Sequence, residues 1–90
     1  MRALRRPAPA SDDTTPERDL SYSIAQSVYE LRIQEGISQE ELAARVGTKQ
    51  PRISVVESAR GLPSVPLLLR IAKAFGRRLV IRFEKTGEEE

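Results

Sequence analysis

The chain contains neither cysteine nor histidine. Those two absences remove disulfides, thiol nucleophiles, zinc sites built from the usual ligands and imidazole acid-base chemistry. No apolar run approaches the roughly 20 residues of a membrane-spanning helix. The basic start, Met1 to Arg6, leads into Pro and Ala without an apolar secretion core. The carboxylates are scattered, with no Gly-rich phosphate loop, metal cluster or nucleophile and base pair. These exclusions leave an expectation of a cytoplasmic binding protein with no catalytic site, no cofactor, no metal and no membrane partner. Ninety residues allow one small domain around one core.

What is present is an uneven distribution of charge. The net charge of +2 divides into five Lys/Arg against eight Asp/Glu over residues 1–44, nine against one over 45–82, and one against four over 83–90. The middle stretch is therefore +8, nine minus one, and its single acid is Glu57. A solvated surface normally mixes signs, so a long one-sided stretch points to a polyanion, with nucleic acid first in line.

Hydrophobic periodicity divides the chain further. Residues 1–18 hold three of the six prolines and read as a disordered arm, in which Arg2, Arg5 and Arg6 could follow a DNA backbone. Leu20, Ile24, Val28 and Leu31 recur at helical spacing up to Gly36. Ser38 with Glu41 makes a capping box, and Ile37 with Leu42 a hydrophobic staple, for a second helix running to Val46. After Gly47, Thr48 is the expected cap of a third helix from Lys49 to about Ser58, with Pro51 in its first turn. Ser64 caps a fourth, with Pro66 in its first turn and Leu68, Leu69, Ala72 and Phe75 on its apolar side. Leu79, Ile81 and Phe83 then alternate with Val80, Arg82 and Glu84, the two-residue period of a strand. A lone strand needs a neighbour, and a second copy of the same strand is the expected one. The divisions are an arm at 1–18, a helical domain at 19–76, a dimerisation strand at 77–84 and an acidic tail at 85–90.

Two short helices joined by a tight turn with Gly, the second basic at its start, form a helix-turn-helix arrangement. Ile53 and Val56 would bury the later part of the third helix, leaving its first turn free to enter a major groove. Lys49 and Gln50 carry donors that match base edges, Lys to guanine and Gln bidentately to adenine, while Arg52 can reach guanine or phosphate. Ser54 fits either a DNA contact or the edge of the core. Arg60, in the following loop, is a further phosphate candidate.

Residues 38–61 resemble the Cro/C1-type (XRE) helix-turn-helix family, through Gln39, Leu42, Ala43, Gly47, Thr48, Ile53, Ser54 and Glu57 in the pattern Q-x-x-L-A-x-x-x-G-T-x-x-x-x-I-S-x-x-E. The family usually has Gly at the position of Ala59, and Pro51 occupies a position often used for a base contact. The resemblance implies an all-α, lambda-repressor-like domain of four to five helices. It also implies that Gln39 holds a DNA phosphate and that Arg32 and Glu57 form a structural ion pair. The segments "GTKQPRIS" and "FGRRLVIRFE" are similar to antitoxins of the HipB and HigA kinds. That similarity implies a homodimer paired through Leu79, Val80, Ile81, Arg82 and Phe83, an inverted-repeat operator in double-stranded DNA, nucleoid association and a toxin partner of the HipA kinase type. Thr48, Lys49, Gln50, Pro51, Arg52 and Ser54 make up the expected DNA surface, with Gln39 and Arg60. A regulator of the same fold without a toxin, and a protein-interaction adaptor that has lost DNA binding, are the alternatives.

Overall fold

The computed structural model describes residues 15–86. Four helices follow one another: α1 Pro16–Glu35, α2 Gln39–Val46, α3 Gln50–Glu57 and α4 Val65–Ala74. α3 packs on both α1 and α2, and α4 packs on α2. Leu42 of α2 and Ile53 of α3 are fully buried at the centre of a core completed by Val28, Val56, Ile71 and Phe75 among others. Burying a side chain of that size contributes about 1.5–3 kcal/mol. No helix among the described residues is long and apolar enough to cross a membrane.

α1 begins earlier than its hydrophobic period indicates. The Thr15 hydroxyl accepts the Arg18 N–H at 3.1 Å, Pro16 opens the helix, and Glu17 and Asp19 lie in its first turn. A capping oxygen, a proline whose missing N–H costs nothing there, and acids beside the positive end of the dipole all favour a start at this point. Thr15 and residues 16–18, expected in the disordered arm, therefore belong to the cap and first turn of the helix, and residues 1–14 of the arm lie outside the described residues. The buried face is Ser21, Ala25 and Val28, with Ile24 and Leu31 beside it. Leu20 is about half exposed and is not part of it.

In α2 the Ser38 hydroxyl accepts the Glu41 N–H at 3.0 Å, as the capping box requires. The Glu41 carboxylate instead takes the Arg45 guanidinium one turn on, at 2.9 Å. A charge-assisted bond outcompetes the neutral backbone donor that would have closed the other half of the box. The helix ends in a Schellman motif, with Gly47 at φ 84° and the Thr48 N–H reaching Ala43 O at 2.9 Å.

Two expectations for the later elements need correction. The apolar face of α4 is Leu67, Ile71 and Phe75; Leu68 and Ala72 flank it, and Leu69 is exposed. The sequence places Phe75 on this face but sets the rest of the stripe out of phase, because Val65, Leu67, Leu68 and Leu69 crowd together around Pro66 and blur the period. The Ser64 cap does form, accepting the Leu67 N–H at 3.2 Å. Among the described residues there is no strand, and Ile81 and Phe83 do not cover the helices: Ile81 is 62% and Phe83 101% exposed, with only Leu79 half-buried. Within one chain this segment has no edge to pair with, and an isolated strand has no backbone partner to hold it flat.

Candidate nucleic-acid interface

The turn from α2 to α3 spans Gly47 to Lys49 and delivers α3 with its first residues outward. Ile53 and Val56 point into the core. Gln50, Ser54 and Glu57, spaced four and three apart, form a half-buried stripe beside them, whereas Lys49, Pro51 and Arg52 are exposed. One short helix thus presents three environments, which helical spacing alone produces.

Thr48 does not cap α3. Its backbone N–H already closes α2, and the N-cap is Lys49, extended at φ −103° and ψ 150°, with no side chain bonded to the end of the helix. Pro51 falls in the first turn, where its missing N–H leaves no gap. The start of α3 therefore carries no acidic side chain and has the exposed cations Lys49 and Arg52 on either side of it, an arrangement that suits an anion at the positive end of the helix dipole.

Behind this surface lies a continuous chain of polar contacts. Arg32 meets Glu57 through two parallel bonds, Nε to Oε2 at 2.8 Å and Nη2 to Oε1 at 3.0 Å, with side chains only 12% and 6% exposed. Arg32 Nη1 also donates to the Ile37 carbonyl at 2.9 Å, and its guanidinium sits 5.5 Å from the Tyr29 ring centre. The hydrogen bonds that Arg32 donates to Glu57 raise the Arg32 pKa above its ordinary value, against the lowering effect of desolvation. Gln39 Nε2 then donates to Glu57 Oε1 at 3.1 Å, and Gln50 Nε2 donates to Gln39 Oε1 at 2.7 Å. The ion pair in the interior is thereby linked, through one glutamine, to the first residue of α3.

The two Gln39 links were not legible as contacts in the sequence, where Gln39 stood only as a phosphate ligand. The available signal was positional: Gln39 and Gln50 each occupy the first residue of a helix, and the turn between the helices is short. One N–H of Gln39 remains for an outside acceptor after these bonds, since an amide nitrogen carries two.

The surrounding charges are unequal in availability. Arg45 is engaged by Glu41 at 2.9 Å and Glu35 at 3.5 Å, so its charge is partly offset. Arg60 donates through Nε to the Ser58 hydroxyl at 2.8 Å and is otherwise exposed in the loop after α3. That loop turns on Ala59, which adopts φ 59°, a left-handed conformation that glycine tolerates better. Among the dimerisation candidates, Val80, Ile81, Arg82 and Phe83 are exposed, and Arg82 bonds Glu84 at 2.8 Å on the surface.

Comparison with known proteins agrees with this geometry. A regulator described as an uncharacterized HTH-type transcriptional regulator from Archaeoglobus fulgidus is 36% identical over 62 residues, 69% of this chain and 89% of that protein. The multiprotein-bridging factor 1 of Candida albicans is 29% identical over 79 residues, 88% of this chain, and the chain spans about half, 51%, of that fungal relative. Among solved structures, the restriction-modification controller protein C.AhdI from Aeromonas hydrophila superposes with a TM-score of 0.67 at 26% identity, covering 71% of this chain and 93% of the other. HipB in complex with an O2 20mer superposes at 0.63 and 25% identity, covering 72% and 90%. Residues 28–81 match the family described as Helix-turn-helix, a span that contains α2, α3, α4 and the Arg32–Glu57 pair, and the chain belongs to that family in its XRE-type form.

Proposed function

We propose that the chain is a sequence-specific DNA-binding repressor that acts as a homodimer on an inverted repeat. The observation that carries this is the first turn of α3: Lys49 and Arg52 project from it, Gln50 is held at its edge, and no acidic side chain occupies it. Such a turn can enter a major groove while Ile53 and Val56 hold the rest of the helix in the core. In this reading Lys49 and Gln50 touch base edges, and Arg52 touches a base or a phosphate. Thr48, Pro51 and Ser54 complete the contact surface, and Gln39 and Arg60 bind phosphates. Phosphate contacts position the module and base contacts specify the sequence.

The antitoxin reading is the finer proposal. Its support is the likeness to HipB, which is also known in a complex named HipA–HipB–O2–O3, with a TM-score of 0.62. A HipA-type kinase would then be the protein partner, and the exposed segment from Leu79 to Phe83 would pair with its copy. A toxin-free regulator is favoured instead by the likeness to the controller protein.

Titration of selected DNA and each of its single-base-pair substitutions, at two salt concentrations, tests the first proposal. Lys49→Ala and Gln50→Ala should each cost about 1–3 kcal/mol on the preferred site and relax one base pair per half-site. Arg60→Ala should weaken all sequences alike and flatten the log–log salt dependence by roughly one unit per half-site. Base preferences left intact by both α3 changes would favour the adaptor reading. Sedimentation tests the dimer: removal of residues 78–90 should yield a monomer, and a persistent dimer would place the interface on the helices. Co-purification with the product of the neighbouring gene, or its failure, decides between antitoxin and free regulator.

A further inference from the structure

We propose that Glu57 is a specificity-determining positioning residue: by accepting the Gln39 amide N–H, it sets the direction of the hydrogen-bond chain that ends at Gln50 and so selects adenine over guanine at one base pair. The inference rests on α3 being the DNA-reading helix.

Direction follows from which groups can only accept and which can only donate. Arg32 has no acceptor, and it offers N–H groups to both Glu57 oxygens. Glu57 therefore receives at both oxygens, and Oε1 receives a second time from Gln39 Nε2 at 3.1 Å. The orientation of a glutamine amide is assigned from its network, and this network permits one answer. With Nε2 turned to Glu57, Gln39 must turn Oε1 the other way, where it lies 2.7 Å from Gln50 Nε2. Gln50 in turn must spend one N–H inward, which leaves its other N–H and its Oε1 for DNA.

One donor beside one acceptor matches the N7 acceptor and N6 donor that adenine shows in the major groove. Guanine shows two acceptors there, and one of them would face the Gln50 oxygen. Were the chain reversed, Gln39 Nε2 would donate to Gln50 Oε1 and leave Gln50 with two N–H groups, the complement of guanine. A neutral amide at position 57 can donate or accept, so both directions become available. The preference at this base pair is then decided by a residue that is itself half-buried at the other end of α3.

The test begins with selection of duplexes from a randomised 20-base-pair pool by the unmodified protein, followed by titration of the selected site and its single-base-pair substitutions. The unmodified protein should prefer adenine to guanine at the Gln50 position by roughly 5- to 150-fold. The double variant Arg32→Gln with Glu57→Gln leaves no unpaired buried charge, and in it the ratio should fall to within about threefold while preferences at other positions persist. Gln39→Met cuts the chain outside the ion pair and should flatten the same ratio even if the double variant does not fold. A merely structural role for Glu57 would change affinity at every sequence together and leave the ratio alone. If Gln50→Ala flattens the ratio but Gln39→Met and the double variant keep it, the inference is overturned and the assignment of α3 stands. If Gln50→Ala also keeps it, α3 is not the reading helix and the inference falls with it.

Discussion

α2 and α3 are both eight residues long and lie side by side, yet they are held in different ways. α2 is closed at each end by local chemistry, the Ser38 hydroxyl at its start and left-handed Gly47 at its finish. α3 has no side-chain cap at its start, and a strained Ala59 lies beyond its end. Its stability is drawn instead from contacts distant in sequence: Ile53 in the core, and Glu57 against Arg32, 25 residues away. The difference teaches that a helix meant to meet a partner can leave its first turn uncapped, provided the rest of it is fixed by tertiary packing.

The comparison is broken most severely at Glu57. Glu57→Ala leaves the Arg32 guanidinium buried without its partner, at a cost of roughly 3–5 kcal/mol, a large part of a small domain's stability. Thermal or denaturant unfolding should show a severely destabilised or unfolded protein; a midpoint unchanged within error would mean that α3 is not held by this pair.

Capping gives a smaller and more selective effect. Ser38→Ala should cost about 1 kcal/mol, whereas Thr48→Ala, which removes no cap, should cost far less. Lys49→Asp should do the opposite of Ser38→Ala, because Lys49 already has the extended backbone of an N-cap and an Asp carboxylate there would accept the Arg52 N–H three residues on, beside the positive end of the helix dipole. It should stabilise by about 0.5–1 kcal/mol while abolishing DNA binding, an exchange of function for stability. Equal melting shifts for Ser38→Ala and Thr48→Ala would remove the contrast between the helices.

The smallest change sharpens the comparison at the far end of α3. Ala59→Gly relieves a left-handed alanine but adds freedom to the unfolded chain, so the net gain should be about 0.5–1 kcal/mol. A melting temperature that fell would show that the loop after α3 is not strained.

Local signals carried well wherever the determining atoms are close in sequence. Ser38 and Ser64 cap as their sequence positions indicate, because a hydroxyl reaches an N–H three residues on without help from the rest of the fold. The start of α1 was equally local, in Thr15 and Pro16, but it was masked by the proline-rich composition around it. The phase of α4 could not be taken from "VPLLLRIA", since nearly every position there is apolar and only packing on α2 selects Leu67 and Ile71. The segment from Leu79 to Phe83 carries a strand's period without a strand, because its period states which residues share a face and not what that face meets.

The candidate site divides along the same line. The identity of Lys49, Gln50 and Arg52 and their place at the start of a helix belong to the sequence alone, since turn chemistry and helical period put them there. That Glu57, Gln39 and Gln50 form one directed chain belongs to tertiary structure, because each link joins different helices and hydrogen bonds at 2.7 to 3.1 Å depend on how those helices pack. Sequence specifies which groups can donate and which can accept; only the fold decides which of them meet.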